Sequence, residues 1–292
     1  MVQRPGPFVH TPIAFNFASE SSNKIHDDAT ARRFGFAGGL VPGVASYGYL
    51  VHPVVDAFGD DWCARGSAAI RLTQPVYEGD RVTARATWTP GREGRRAELD
   101  LLDGKGARCA EGWAALDDTK LDDPKLADQA AEDDLPVPNA AAYAAAPLPE
   151  LDQRPAASLE VLAPSTTLGS LAIGPWTRQE LAAIAEQYRD PSPRYTAEAR
   201  RPALHPAHLL HEANQILVRN VVLGPWIHTA SRVRHLREVD CARQHVLRGR
   251  VEEAAERRGH EIVTLDLALF DDADRAVAAI RHTAIIRPRQ VG

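Results

Sequence analysis

Apolar and polar positions divide the chain into two segments of one design. From Pro42 to Phe58 (PGVASYGYLVHPVVDAF) apolar residues fall on every side of a helical wheel, which marks a helix enclosed by other elements. Pro42 and Gly43 suit its first turn and Gly59 its end, while Pro53 predicts a kink or a break inside it. Four runs of strand character follow: Ser67–Val76, Asp80–Trp88, Arg96–Leu102 and Ala107–Leu116. Gly79-Asp80, Gly91-Arg92 and Asp103-Gly104 supply the turns between them. The same order then recurs. Pro206–Val222 is a second apolar-faced helix ending at Gly224-Pro225, and strands are predicted over Ile227–Arg237, His245–Glu253, Glu261–Phe270 and Arg275–Arg287. A long helix followed by four antiparallel strands, given twice, predicts an α+β fold with two antiparallel sheets, each wrapped around a long central helix. Local echoes support a duplication: Leu40-Val41-Pro42-Gly43 matches Leu204-His205-Pro206-Ala207, and Ser67–Leu72 matches Ala230–His235.

Between the repeats the pattern disappears. Asp117–Glu150 is acidic, then rich in Pro and Ala, and too poor in periodic apolar residues to offset the entropy of ordering. The expected organisation is therefore an N-terminal unit over 1–116, a linker over 117–150 and a C-terminal unit over 151–292.

Composition narrows the function classes. The net charge of −5 removes any global electrostatic case for nucleic acid, and no apolar run reaches the ~18 residues of a membrane span. Cys63, Cys109 and Cys241 are odd in number, widely spaced and free of any CxxC, so they read as buried apolar residues in a reducing compartment. The first residues carry no apolar stretch of signal-peptide length, and a cytoplasmic location is the expectation. His205, His208 and His211 fall at i, i+3 and i+6 of the second helix, but with no HExxH motif or nearby cysteine they predict no metal site. No Walker, GxGxxG or GxSxG motif is present, and no cofactor is expected.

The stretch richest in chemistry is Glu20–Asp28 followed by Ala31–Gly43, a polar loop with Asn, His and carboxylates ahead of a glycine-rich approach to the first helix. His26 titrates near neutrality and suits general acid–base work. The helix N-terminus offers unpaired N–H groups and a partial positive charge. Together they could polarise a carbonyl and move a proton beside it. The plainer reading is that Asp27 and Asp28 start a short helix and the glycines shape a turn.

This segment resembles the MaoC-like (R)-specific enoyl-CoA hydratase family of hot-dog-fold proteins, whose pattern is close to D-x-N-P-[IL]-H-x-D followed by a Gly-Phe pair and a His-Gly at the start of the central helix. Asn23, Ile25, His26, Asp28, Gly35-Phe36 and Gly43 fall on it. Arg71–Val82 (RLTQPVYEGDRV) is similar to the family's F-x-x-P-V-x-x-G-D-x-V. The resemblance covers residues 15–116 and is architectural beyond them, where it matches double hot-dog members. It implies that His26 is catalytic, that Asn23 helps hold the site, and that the Gly43 N–H binds a thioester carbonyl, with Gly39 and Pro42 as further substrate-binding candidates. The sequence departs from the family at two places. Ser21 stands where the catalytic aspartate belongs, and Pro42 replaces the histidine before the glycine. Serine is no comparable base at pH 7, so the candidate catalytic partners of His26 are Glu20, one residue away, or Ser21 acting through a water. In the second half Asp190 takes the acid position, but Tyr195 stands in place of histidine, which implies a degenerate copy.

The leading expectation is an acyl-thioester hydratase or dehydratase acting on 2-enoyl or 3-hydroxyacyl thioesters of CoA or a carrier protein. A hot-dog thioesterase and a non-catalytic acyl-CoA-binding or partner subunit are the alternatives, the last favoured by Ser21 and Pro42. A monomer and a homodimer both suit a double hot dog.

Overall fold

The computed structural model describes residues 7–89, 96–116 and 135–289. The Gly91-Arg92 turn and most of the expected linker lie outside the described residues. The N-terminal half contains β1 (Phe8–His10), α1 (Asp28–Arg33), α2 (Gly43–Phe58), α3 (Asp60–Arg65), β2 (Gly66–Leu72), β3 (Thr83–Trp88), β4 (Arg96–Leu102) and β5 (Arg108–Leu116). The C-terminal half contains β6 (Leu171–Ile173), α4 (Arg178–Gln187), α5 (Ala207–Asn220), β7 (Ile227–His235), β8 (His245–Arg257), β9 (His260–Phe270) and β10 (Ala276–Arg287).

The strands form one ten-stranded antiparallel sheet in the order β1-β3-β4-β5-β2-β7-β10-β9-β8-β6. Read inward from either edge, the two halves have the same connectivity. The two expected sheets are thus continuous, joined where β2 pairs β7 with Ala68 opposite Val233 and Ile70 opposite Ser231. That pairing covers the edge each half would otherwise leave open, and the outer edges are three-residue strands, too short to template further pairing.

Helix α2 packs on strands of its own half, on β7 and on α5. Its enclosure explains the all-round apolar pattern: Val44, Tyr47, Tyr49, Leu50, Val51 and Val54 are all buried. The helix continues through Pro53, which removes only a bond to the Tyr49 carbonyl, because packing on all sides holds the turns around it. Gly48 lets Tyr188 close onto α2, since a Cβ there would lie 2.7 Å from the Tyr188 ring. Gly59 ends the helix at φ 73°, a conformation that favours glycine. Residues 135–150 run against the C-terminal half, with the Tyr143 hydroxyl donating to Asp266 at 2.8 Å and its ring on Phe270. No helix among the described residues is long and apolar enough to cross a membrane.

Candidate active site

A single 3-10 turn, Lys24–His26, carries the candidate histidine. It is anchored from below by Ile25, which packs with Ala31 and Leu40 in a small cluster of its own. The main chain of His26 is held twice. Asn16 Nδ2 donates to its carbonyl at 2.9 Å, and Gly39 passes so close that a Cβ would sit 2.2 Å from the same oxygen. Gly39 in turn donates its N–H to Asp28 Oδ1 at 2.8 Å, while Asp27 caps α1 through the Thr30 N–H. Gly39 therefore shapes the turn rather than lining the cleft. Gly39→Ala is expected to shift His26 and lower both Tm and any turnover, by tenfold or more for the latter, since small misplacements of a reacting group are costly. A fully active Gly39→Ala protein would contradict this placement.

The His26 ring is fixed in one tautomer. Nδ1–H donates to the Leu40 carbonyl at 2.7 Å, which leaves Nε2 unprotonated and 3.3 Å from Asn23 Nδ2. Burial lowers the His26 pKa from its ordinary value, opposed by the Leu40 hydrogen bond, so the neutral ring is the resting form. Asn23 is itself saturated. Its amide donates to the Trp226 carbonyl at 2.9 Å and its oxygen accepts from the Trp226 N–H at 3.1 Å and the Ile25 N–H at 3.3 Å. The turn is thereby tied at two points to the other half of the chain.

His26 and Asn23 face a cleft of about 160 Å³ between the halves. One wall is the start of α2, with Pro42, Gly43 and Ser46; the other is Asn214 of α5 and Trp226–Thr229 at the start of β7. No side chain caps the N-terminus of α2, so its first N–H groups, Gly43 included, remain available to a ligand oxygen. Glu20 and Ser21 do not line the cleft. Glu20 is exposed, and the Ser21 hydroxyl turns back to the Asn23 carbonyl at 3.4 Å. Among the described residues no carboxylate lines this cleft. A second imidazole does: His228, which the sequence reading missed because a lone histidine inside a strand pattern carries no motif.

The equivalent place in the C-terminal half is filled. A 3-10 turn, Pro193–Tyr195, stands where Lys24–His26 does, and Tyr195 is buried. The cavity bounded there by Cys63, Arg194, Leu204 and Pro206 is about 20 Å³. Asp190 is structural. Its side chain is 1% exposed and accepts from His52 at 2.9 Å and His205 at 3.1 Å, which joins α2 to the approach to α5. His205 lies ahead of α5 and turns to Asp190, whereas His208 pairs with Glu212 at 3.0 Å and stacks on His211 with ring centroids 5.1 Å apart.

The arrangement of strands and helices matches known structures along almost its whole length. A conserved hypothetical protein from Mycobacterium tuberculosis, described as having a double hot-dog fold, superposes with a TM-score of 0.61 over 96% of this chain and 95% of its own at 12% identity. The chain is a double hot dog. A protein described as a MaoC domain dehydratase from Chloroflexus aurantiacus J-10-fl gives 0.59 over 97% and 95% at 11% identity. One described as an oleoyl thioesterase from Lactobacillus plantarum gives 0.51 over 97% and 98% at 14% identity. No family model and no curated protein sequence matches the chain. At these identities the double hot dog shares a scaffold with proteins of different chemistry, and function has to be argued from the cleft.

Proposed function

We propose that this double hot dog is an acyl-thioester hydratase or dehydratase in which His26 is the only general base. The observation that carries the reading is the fixed, unprotonated Nε2 of His26 in a cleft whose other wall is the uncapped start of α2. A thioester carbonyl placed at Gly43 would have its developing negative charge stabilised by the helix N-terminus. In hydration, His26 Nε2 takes a proton from water as the oxygen bonds to Cβ, and the resulting imidazolium returns a proton to Cα; dehydration is the reverse. One imidazole acting on one face closes the proton balance without the carboxylate that the cleft lacks. Residue roles carried by the MaoC-like pattern support His26, Asn23 and Gly43, with Pro42 as a wall of the cleft, while the directions of Glu20 and Ser21 away from it argue against their taking part.

A lining without a carboxylate among the described residues favours one second reading, a non-catalytic acyl-thioester binder. Crotonyl-CoA and longer 2-enoyl-CoA substrates separate the readings when enoyl absorbance and free thiol are followed together. Loss of absorbance without thiol supports the hydratase, thiol release supports a thioesterase, and thermal stabilisation by ligand without either supports the binder.

A further inference from the structure

The wall facing His26 is built around a buried polar chain. His228 Nε2 lies 2.7 Å from Ser231 Oγ, Ser231 Oγ lies 2.8 Å from His282 Nδ1, and His282 Nε2 lies 2.8 Å from Asn214 Oδ1. His228, Ser231 and His282 are buried, and the two imidazoles stack at 4.3 Å. The chain begins and ends at the cleft, since Asn214 and His228 both line it. His228 Nδ1 is buried, has no hydrogen-bond partner among the described residues, and faces Gly43, where a Cβ would lie 2.7 Å from it.

The direction of the protons follows from the end of the chain. Asn214 Oδ1 can only accept, so His282 carries its proton on Nε2. Burial keeps His282 neutral, which makes its Nδ1 an acceptor for the Ser231 hydroxyl. Ser231 must then accept from His228 Nε2–H. What remains at the cleft is a lone pair on His228 Nδ1, buried and unused. An aliphatic acyl chain would leave it unpaired, and a ketone would set oxygen against it; a hydroxyl satisfies it.

We propose that His228 is a specificity residue that accepts a hydrogen bond from a hydroxyl on the acyl group of the ligand, so that the pocket selects 3-hydroxyacyl thioesters. This rests on the function proposed above, which places the thioester carbonyl at Gly43 and hence the β-carbon beside His228. In that position His228 orients the β-hydroxyl, or the water that becomes it, toward His26.

The test is calorimetric titration of 3-hydroxybutyryl-CoA, acetoacetyl-CoA and butyryl-CoA into the His26→Ala protein, in which turnover of the first should be slowed about 10²–10⁴-fold. The hydroxy ligand should bind roughly tenfold more tightly than either of the others. In the same background His228→Phe should erase the preference. Ser231→Ala should erase it or move it toward acetoacetyl-CoA, because an untethered His228 can carry its proton on Nδ1. A merely structural role for Ser231 would weaken all three ligands alike and leave the ratio intact. Equal affinities in the His26→Ala parent, or a preference for the ketone, overturn the assignment of His228 while leaving the thioester reading in place. Failure of all three ligands to bind overturns both.

Discussion

Replacing His26 by alanine should lower enoyl-thioester hydration by about 10²–10⁴-fold, the usual contribution of a positioned acid–base group. The loss should fall on kcat more than on KM, because in the proposed mechanism the ring moves the proton while Gly43 holds the carbonyl. The pH profile gives a second readout. Burial holds the His26 pKa below its ordinary 6.5, and the base works only when unprotonated. In the wild type kcat/KM should therefore be flat through pH 7–8 and fall on the acid side only below 6.5. A rate retained by His26→Ala, or an acid limb above 6.5, would remove His26 from the mechanism. Circular dichroism at each pH separates this limb from unfolding.

Acid should also unfold the protein unusually early. Burial holds His211, His228 and His235 at a pKa of about 4, against 6.5 for an exposed ring. Above 6.5 these groups are neutral in both states and stability is at its full value. Between 6.5 and 4 the unfolded chain binds protons that the fold refuses, so stability falls with pH. At pH 5 the loss is about 2 kcal/mol for each ring, or roughly 6 of the ~5–15 kcal/mol that hold a typical domain. Asp190 does not contribute in this window. Burial raises its pKa, but hydrogen bonds from His205 and His52 outweigh that and hold it well below the ordinary carboxylate range, so its contribution is lost only below about pH 4. Tm is expected to be constant from pH 8 to 7 and to fall by roughly 10–20 °C by pH 5. His235 offers a clean variant. Its Nε2 has no partner and its ring meets Trp62 at 4.8 Å, so a phenyl group can replace it. Other buried rings, His10 among them at about 4, act in the same window, so His235→Phe should remove its own share alone, about 2 kcal/mol at pH 5. An unchanged fall would mean that the buried imidazoles are not its source.

Much of the scaffold was legible because it depends on local patterns. Both central helices and all eight long strands follow from apolar periodicity and turn residues, within a few positions at their ends. Pro53 predicted a break that tertiary enclosure overrode. The three-residue strands β1 and β6 are too short to show a period. Helix α4 carried a readable signal, the Thr177–Glu180 capping box, with Glu180 Oε2 accepting from the Thr177 N–H at 2.7 Å, but its low apolar content hid it. At the site, sequence order placed Asn23, His26 and Gly43 together because they lie within one loop and the helix start it feeds. It misled over Glu20, whose nearness in number said nothing about direction. His228, Ser231, His282 and Asn214 come from three separate elements, and only the packed sheet and α5 bring them into line.

The two unequal cavities have a bearing on stoichiometry. A pair of identical hot-dog subunits must carry two identical clefts, whereas the β2–β7 junction places both halves on one chain and frees each to diverge. Here Tyr195 occupies one position and His26 stands open at the other. On the function proposed above, acyl-thioester binding is expected to saturate at one ligand per polypeptide, with the C-terminal copy of the cleft contributing none.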